Sequence, residues 1–188
     1  MKKTKKRQQK KPTEKMILIG LIAVAVIAVA ALVIWKFCGD TGSKPGVGEE
    51  KTVDYSALGM TISLPEEFEE TTITGIFVTY RGKDALVSVM KQSFEKMPDM
   101  AQASVEEFAS GSLTNGNLSD DVKLEIQNGI PGFDFIQQNP QTGSIDHHFV
   151  KFYKSDDAFW ICQFIVAQEK TEEYEPRFEK WAQTLRFD

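Results

Sequence analysis

Hydrophobic positions change their rhythm along this chain. From Met16 to Trp35 every residue is apolar or glycine. From Gly59 to Pro65 they alternate, with Met60, Ile62 and Leu64 on one side. From Phe159 to Val166 both alternating sets are apolar. At the carboxyl end Tyr174, Phe178, Trp181 and Leu185 recur at helical spacing. The first pattern predicts a helix about 30 Å long, the depth of a bilayer hydrocarbon core. The second predicts a half-buried strand. The third predicts a strand covered on both faces. The fourth predicts a helix that buries one aromatic stripe, with Pro176 placed near its start.

Turn residues divide the remainder. Ile76 to Arg81 and Ala85 to Gln92 flank Gly82-Lys83-Asp84 and predict a hairpin. Ser104-Val105-Glu106-Glu107 is a capping box that opens a short helix. Val122 to Gln127, Gly132 to Gln138, His147 to Lys154 and Phe159 to Ala167 read as four successive strands. Asn128-Gly129, the 139–144 loop and Ser155-Asp156-Asp157 separate them. Short connections imply antiparallel neighbours. The strand apolar on both sides needs two covers. The terminal helix supplies one, and the helix near Ser104, with the segments around Phe68 and Phe94, supplies the other. The expected fold is α+β: a single transmembrane helix, then an α/β/α sandwich with a mainly antiparallel sheet.

Charge sets the orientation of the apolar span. Residues 1–15 carry Lys2, Lys3, Lys5, Lys6, Arg7, Lys10, Lys11 and Lys15 against Glu14, a net +7. Residues from Lys36 onward carry −12. Positive residues remain cytoplasmic. The chain is therefore expected to cross the cell membrane once, with residues 1–15 inside and the acidic portion outside. Met16, Lys15, Trp35 and Lys36 mark the ends of the anchor, and the basic leader faces anionic lipid. Ala28-Val29-Ala30 matches a signal-peptidase pattern, but the apolar run continues past it and is too long for a cleavable signal. Cys38 follows Trp35-Lys36-Phe37 and lacks the small residues of a lipoprotein signal. No pair of small residues four apart marks a helix–helix seam.

Residues 36–51 are rich in glycine and polar residues and read as a flexible linker. Residues 52–188 suffice for one domain that folds without disulfide or metal. Cys162 reads as a small buried hydrophobe.

Candidate chemistry is sparse. Asp146, His147 and His148 form the only histidine cluster. Neighbours on a strand point to opposite faces, so the two imidazoles are poorly placed to share a metal. The 115–121 segment departs from a calcium loop at both the glycine and the glutamate positions. There is no nucleophile elbow and no phosphate-cradling loop. The acidity of the outer portion argues against nucleic acid as a ligand. The expectation is no cofactor and no catalysis.

The strand Gly59 to Pro65, the following Pro65-Glu66-Glu67-Phe68, the hairpin, helix and meander, and the closing Tyr174 to Phe187 segment together resemble the PsbP-like fold family. It is named for an extrinsic photosystem protein, with relatives among eukaryotic Ran-binding proteins and bacterial surface proteins. The resemblance spans nearly all of 52–188 and points to a membrane-anchored branch in Gram-positive-type bacteria. It implies an α/β/α sandwich and a non-catalytic docking role, and it carries over no site residue. The expected function is a membrane-anchored extracytoplasmic protein-interaction or envelope-assembly module. Its expected partners are membrane lipid at 16–35 and a protein. The alternative is a small-molecule- or metal-binding sensor or enzyme domain.

Overall fold

The computed structural model describes residues 50–188 apart from 76, 117, 140 and 141. The basic leader, the expected span at 16–35, Cys38 and the linker as far as residue 49 lie outside the described residues. Among the described residues no helix is long and apolar enough to cross a membrane.

Among the described residues ten strands and two α-helices follow in chain order: β1 (Thr52–Ala57), β2 (Met60–Pro65), β3 (Glu69–Ile73), β4 (Phe77–Arg81), β5 (Ala85–Ser93), α1 (Val105–Asn115), β6 (Glu125–Gln127), β7 (Ile130–Gln138), β8 (Ile145–Lys154), β9 (Ala158–Ala167), α2 (Thr171–Ala182) and β10 (Arg186–Phe187). Seven strands form one antiparallel sheet in the order β3-β4-β5-β9-β8-β7-β6. The expected hairpin and four-strand meander are both present. They join where β9 pairs along its length with β5 and β8.

The first alternating strand is not in that sheet. β2 pairs with β1 and β10 in a separate three-stranded sheet. This small sheet and α2 cover one face of the large sheet, where Ile62, Leu64, Val87, Trp160, Phe164, Phe178 and Trp181 meet. On the other face α1 and the segment around Phe94 cover Met90, Phe133, Phe152, Phe159 and Ile161. Both sides of β9 are therefore buried, as its composition requires. Each large side chain so buried contributes about 1.5–3 kcal/mol.

Several expectations need correction. Phe68 packs edge-on to Trp181 at 5.3 Å, on the α2 side and not with α1. The Val122–Gln127 run contributes only Glu125–Gln127 to the sheet; Val122 and Leu124 turn inward against the α1-side core instead. Pro176 is the sixth residue of α2, not one of the first. The helix starts earlier because a 3-10 turn at Gln168–Lys170 leads into it and Glu172 and Glu173 complement its positive end. Leu185 lies beyond the helix but still in the core. Glu50 and Lys51, read as linker, are bonded into the domain. Arg177 and the Trp181 indole (3.2 Å) both donate to the Glu50 carboxylate, and Glu66 N–H donates to Lys51 C=O at 3.2 Å.

Local signals hold where they are complete. The Ser104 hydroxyl accepts from Glu107 N–H at 3.1 Å, and the Glu107 carboxylate accepts from Ser104 N–H at 2.9 Å. Asn128 and Gly129 have φ of 53° and 79°, the positive pair that a tight hairpin turn demands. Leu58 and Gly59 repeat this at 61° and 88° between β1 and β2, with a leucine where asparagine is the usual solution.

Thr79, Tyr80 and Ser88 each bury a hydroxyl without a hydrogen-bond partner among the described residues, and the tyrosine is the largest of them. Burial, reinforced by Glu70, pushes the Tyr80 pKa up to about 12. Tyr80→Phe removes an unsatisfied group without opening a cavity. It is expected to leave stability unchanged or raise it by up to about 1 kcal/mol, read as a higher urea midpoint. A loss above that size would mean that the hydroxyl has a partner in solution.

Candidate functional site

β8 runs between two differently covered faces, and its alternation sorts the chemistry. His147, Phe149, Lys151 and Tyr153 point toward α2. Asp146, His148, Val150 and Phe152 point the other way.

On the α2 side the ring of His147 lies over Phe149, with centroids 4.2 Å apart. Its Nε2 is 2.7 Å from Asp134 Oδ2 on β7. Its Nδ1 is 3.0 Å from Thr171 Oγ1 at the first residue of α2. A neutral ring that donates Nε2–H to Asp134 accepts the Thr171 hydroxyl proton at Nδ1. Carboxylate, imidazole and hydroxyl thus stand in one line that ties the start of α2 to β7. Asp134 is half-exposed at its outer end.

One row further along β8, the buried Lys151 ammonium donates to Glu179 of α2 at 2.6 Å and to the Gln127 side-chain oxygen of β6 at 2.7 Å. Its stem crosses Gly132. A Cβ at 132 would stand 2.8 Å from Lys151 Cδ and 2.4 Å from the Val150 carbonyl oxygen. Only glycine lets a lysine lie flat across the sheet here.

Beyond these groups α2 no longer covers β7. Ile136 is 53% exposed and Ile145 is 48% exposed. The pairing of Ile136 with His147 and of Gln138 with Ile145 places them diagonally adjacent on one face. The corner formed by β6, β7, β8 and α2 therefore joins a bonded polar line to an exposed apolar pair.

On the opposite face His148 is buried and stacked on Phe135 at 4.7 Å, with the planes within 5°. The Gln163 amide donates to its Nδ1 at 2.9 Å. Burial, then the neighbouring His147, depresses its pKa to about 4. The unfolded histidine, at about 6.5, binds its proton first as pH falls. The stabilisation is thus complete above about pH 6.5 and is lost as pH falls toward 4. His148 alone is expected to remove up to about 3 kcal/mol over that window. His148→Phe should flatten the drop in urea midpoint between pH 7 and 4.5; an unchanged drop would assign it to other groups.

The structure thus divides the three metal candidates. His147 lies on one face with its two ring nitrogens engaged. His148 lies on the other, beside Asp146, whose carboxylate accepts from Ser144 Oγ at 3.1 Å. Among the described residues no three His, Cys, Asp or Glu side chains converge on a metal. Cys162 is free and wholly buried in β9, and burial pushes its thiol far above the ordinary range. The sequence reading missed Asp134, Thr171, Lys151, Gln127, Glu179 and Gly132. A lysine in the buried register of β8 was the available signal, but the glycine opposite it emerges only from the pairing of β7 with β8.

No family model matches the chain, and no curated protein matches its sequence. Solved structures do show similarity. One is a protein of Bacteroides thetaiotaomicron, with 11% identity, TM-score 0.49 and 75% of this chain covered; this chain spans only 49% of that one. Another is the cyanobacterial PsbP (CyanoP) of Synechocystis, with 14% identity, TM-score 0.42, 80% of this chain and 100% of that one. A third is the Ran-binding protein Mog1p of Saccharomyces cerevisiae, with 8% identity, TM-score 0.49, 74% of this chain and 96% of that one. These likenesses are to the general course of the chain and transfer no function.

Proposed function

We propose that this chain is a single-pass membrane protein whose carboxyl-terminal domain lies outside the cell and docks another protein without catalysis. The address rests on residues 1–36, a +7 leader before an unbroken apolar run. The sequence motifs between Gly59 and Phe187 support placing it in a membrane-anchored branch of the PsbP-like family. Gram-positive origin is part of the same proposal.

The observation that carries the docking role is the corner at β7. There Ile136 and Ile145 stand exposed beside the Asp134–His147–Thr171 line. The titratable groups most displaced from their ordinary behaviour, Cys162, His148 and Tyr153, are enclosed in the sheet, where they serve packing and internal hydrogen bonds. Strongly shifted groups inside a cleft would point to chemistry; these point to a core.

Two measurements test this reading. Protease added to intact protoplasts should remove the domain and spare the leader; a chain recovered in the soluble fraction would sink the anchor. Cross-linking in membranes should capture protein through the β7 corner, and Ile145→Asp should reduce that capture at least tenfold. Capture that ignores Ile145→Asp would place docking elsewhere. The second reading, a hydrolytic or sensor domain, draws on the carboxylate–imidazole–hydroxyl line, a geometry able to activate a hydroxyl. Ester turnover abolished by His147→Gln would favour it.

A further inference from the structure

The large sheet ends in two unlike edges. At one end β3 carries Glu69 and Glu70, and its register shifts between Glu70 and Thr72. Charge and a bulge protect that edge from pairing. At the other end β6 covers only Ile130 to Gly132 of β7. On that outer side the rest of β7, whose other side pairs with β8, has no strand beside it among the described residues.

Parity shows which backbone groups are open. Ile130 and Gln127 close the tight turn at Asn128-Gly129, so Ile130 turns its N–H and C=O toward β6. Asn139 N–H bonds Ser144 C=O at 2.8 Å, on the β8 side. Odd positions of β7 therefore serve β8. Asp134, Ile136 and Gln138 present their backbone groups outward. Their side chains share the face where Ile136 is exposed. The open edge ends at β6 on one side and at the turn from Asn139 on the other.

We propose that this edge pairs with the same edge of a second copy of the chain, across a two-fold axis at Ile136. The inference rests on the docking role proposed above and names its partner. An edge of this length, closed at both ends, accepts an antiparallel strand of the same length, which its own copy provides. In that register Ile136 opposes Ile136 of the second copy, and the Asp134 carboxylate opposes the Gln138 amide. No two like charges face each other. Each outward residue exchanges both its backbone groups with its opposite number. The acidic β3 edge stands about 29 Å away at about 4.8 Å per strand. That is well past the screening length of about 8 Å, so it does not repel the second copy. The contact is small beside the roughly 1,600 Å² of a standard interface. Confinement of both chains to one membrane supplies the effective concentration it needs.

Disulfide trapping of the full chain in its membrane tests this, in a Cys38→Ser background, since Cys162 is buried. Opposed residues of an outward pair lie about 5.5 Å apart at Cα, within disulfide reach. Ile136→Cys should give covalent dimer at least tenfold above Ile73→Cys, an equally exposed site on the β3 edge. Chains bearing Asp134→Cys should cross-link to co-expressed chains bearing Gln138→Cys and not to themselves. Melting curves of each variant confirm that the fold persists. Equal yields at 136 and 73, no dimer at 136, or a cross-link from 136 to a different protein would each overturn the proposal. Chains that stay in the membrane as monomers fail this inference alone, whereas soluble chains fail the anchor.

Discussion

Phe178→Ala should cost about 3–5 kcal/mol, a large share of the roughly 5–15 kcal/mol that holds a typical domain folded. Phe178 is almost wholly enclosed on α2. Its ring meets Phe149 at 5.4 Å, Phe164 at 5.2 Å, Tyr174 at 5.6 Å and Trp181 at 5.5 Å. The first two rings belong to the sheet, and the last two belong to α2 itself. Truncation removes the wedge between layers and leaves four aromatic rings around a void that they are too rigid to fill. Urea unfolding followed by circular dichroism reads the effect. A loss below about 1 kcal/mol would mean that α2 closes onto the sheet without it.

Glu179→Ala should cost about 2–3 kcal/mol, while Lys151→Met should stay within about 1 kcal/mol of the parent. The asymmetry follows from burial. Lys151 is enclosed, and among the described residues Glu179 is its only carboxylate partner. Removing the acid strands an ammonium with only the Gln127 oxygen for company. Removing the lysine frees Glu179, which reaches water, and methionine fills the space over Gly132 with an apolar stem. The double variant should recover most of what Glu179→Ala loses. Equal losses from the two single variants would show instead that the attraction exceeds the cost of desolvation.

These residues also mark where sequence reading succeeded and where it stopped. β9 and α2 were legible because their patterns are local and heavy. The Ser104 box and the Asn128-Gly129 turn were legible because a few adjacent residues contain the whole mechanism. β1 and β3 were not. Glu69–Ile73 is mostly exposed and polar, so nothing marks it as a strand until β4 pairs with it; Thr52–Ala57 does alternate polar and apolar residues, but it is short, mostly exposed and runs straight on from the polar stretch before it. The second sheet stayed hidden because β2 and β10, which it joins, come from opposite ends of the domain. At the candidate site, alternation alone separated His147 from His148. The partners of His147 come from β7 and α2, and those of Lys151 from β6 and α2, contacts between segments far apart in sequence. A single sequence has no local trace of such register.

The bonds of Glu50 to Arg177 and Trp181 reach past the domain's stability. They hold residue 50 against α2 just before β1 begins, so that on a chain anchored as proposed the tether would leave the domain beside α2. On such a chain residues 36–49 would join the anchor to that point, and a flexible coil of that length has a mean span of about 20 Å. A leash so short on such a chain, leaving from the α2 layer, would keep that layer toward the bilayer and turn the α1 layer outward. The sheet would then lie roughly parallel to the bilayer between them, its β7 margin facing sideways, where neighbours in the same membrane are met.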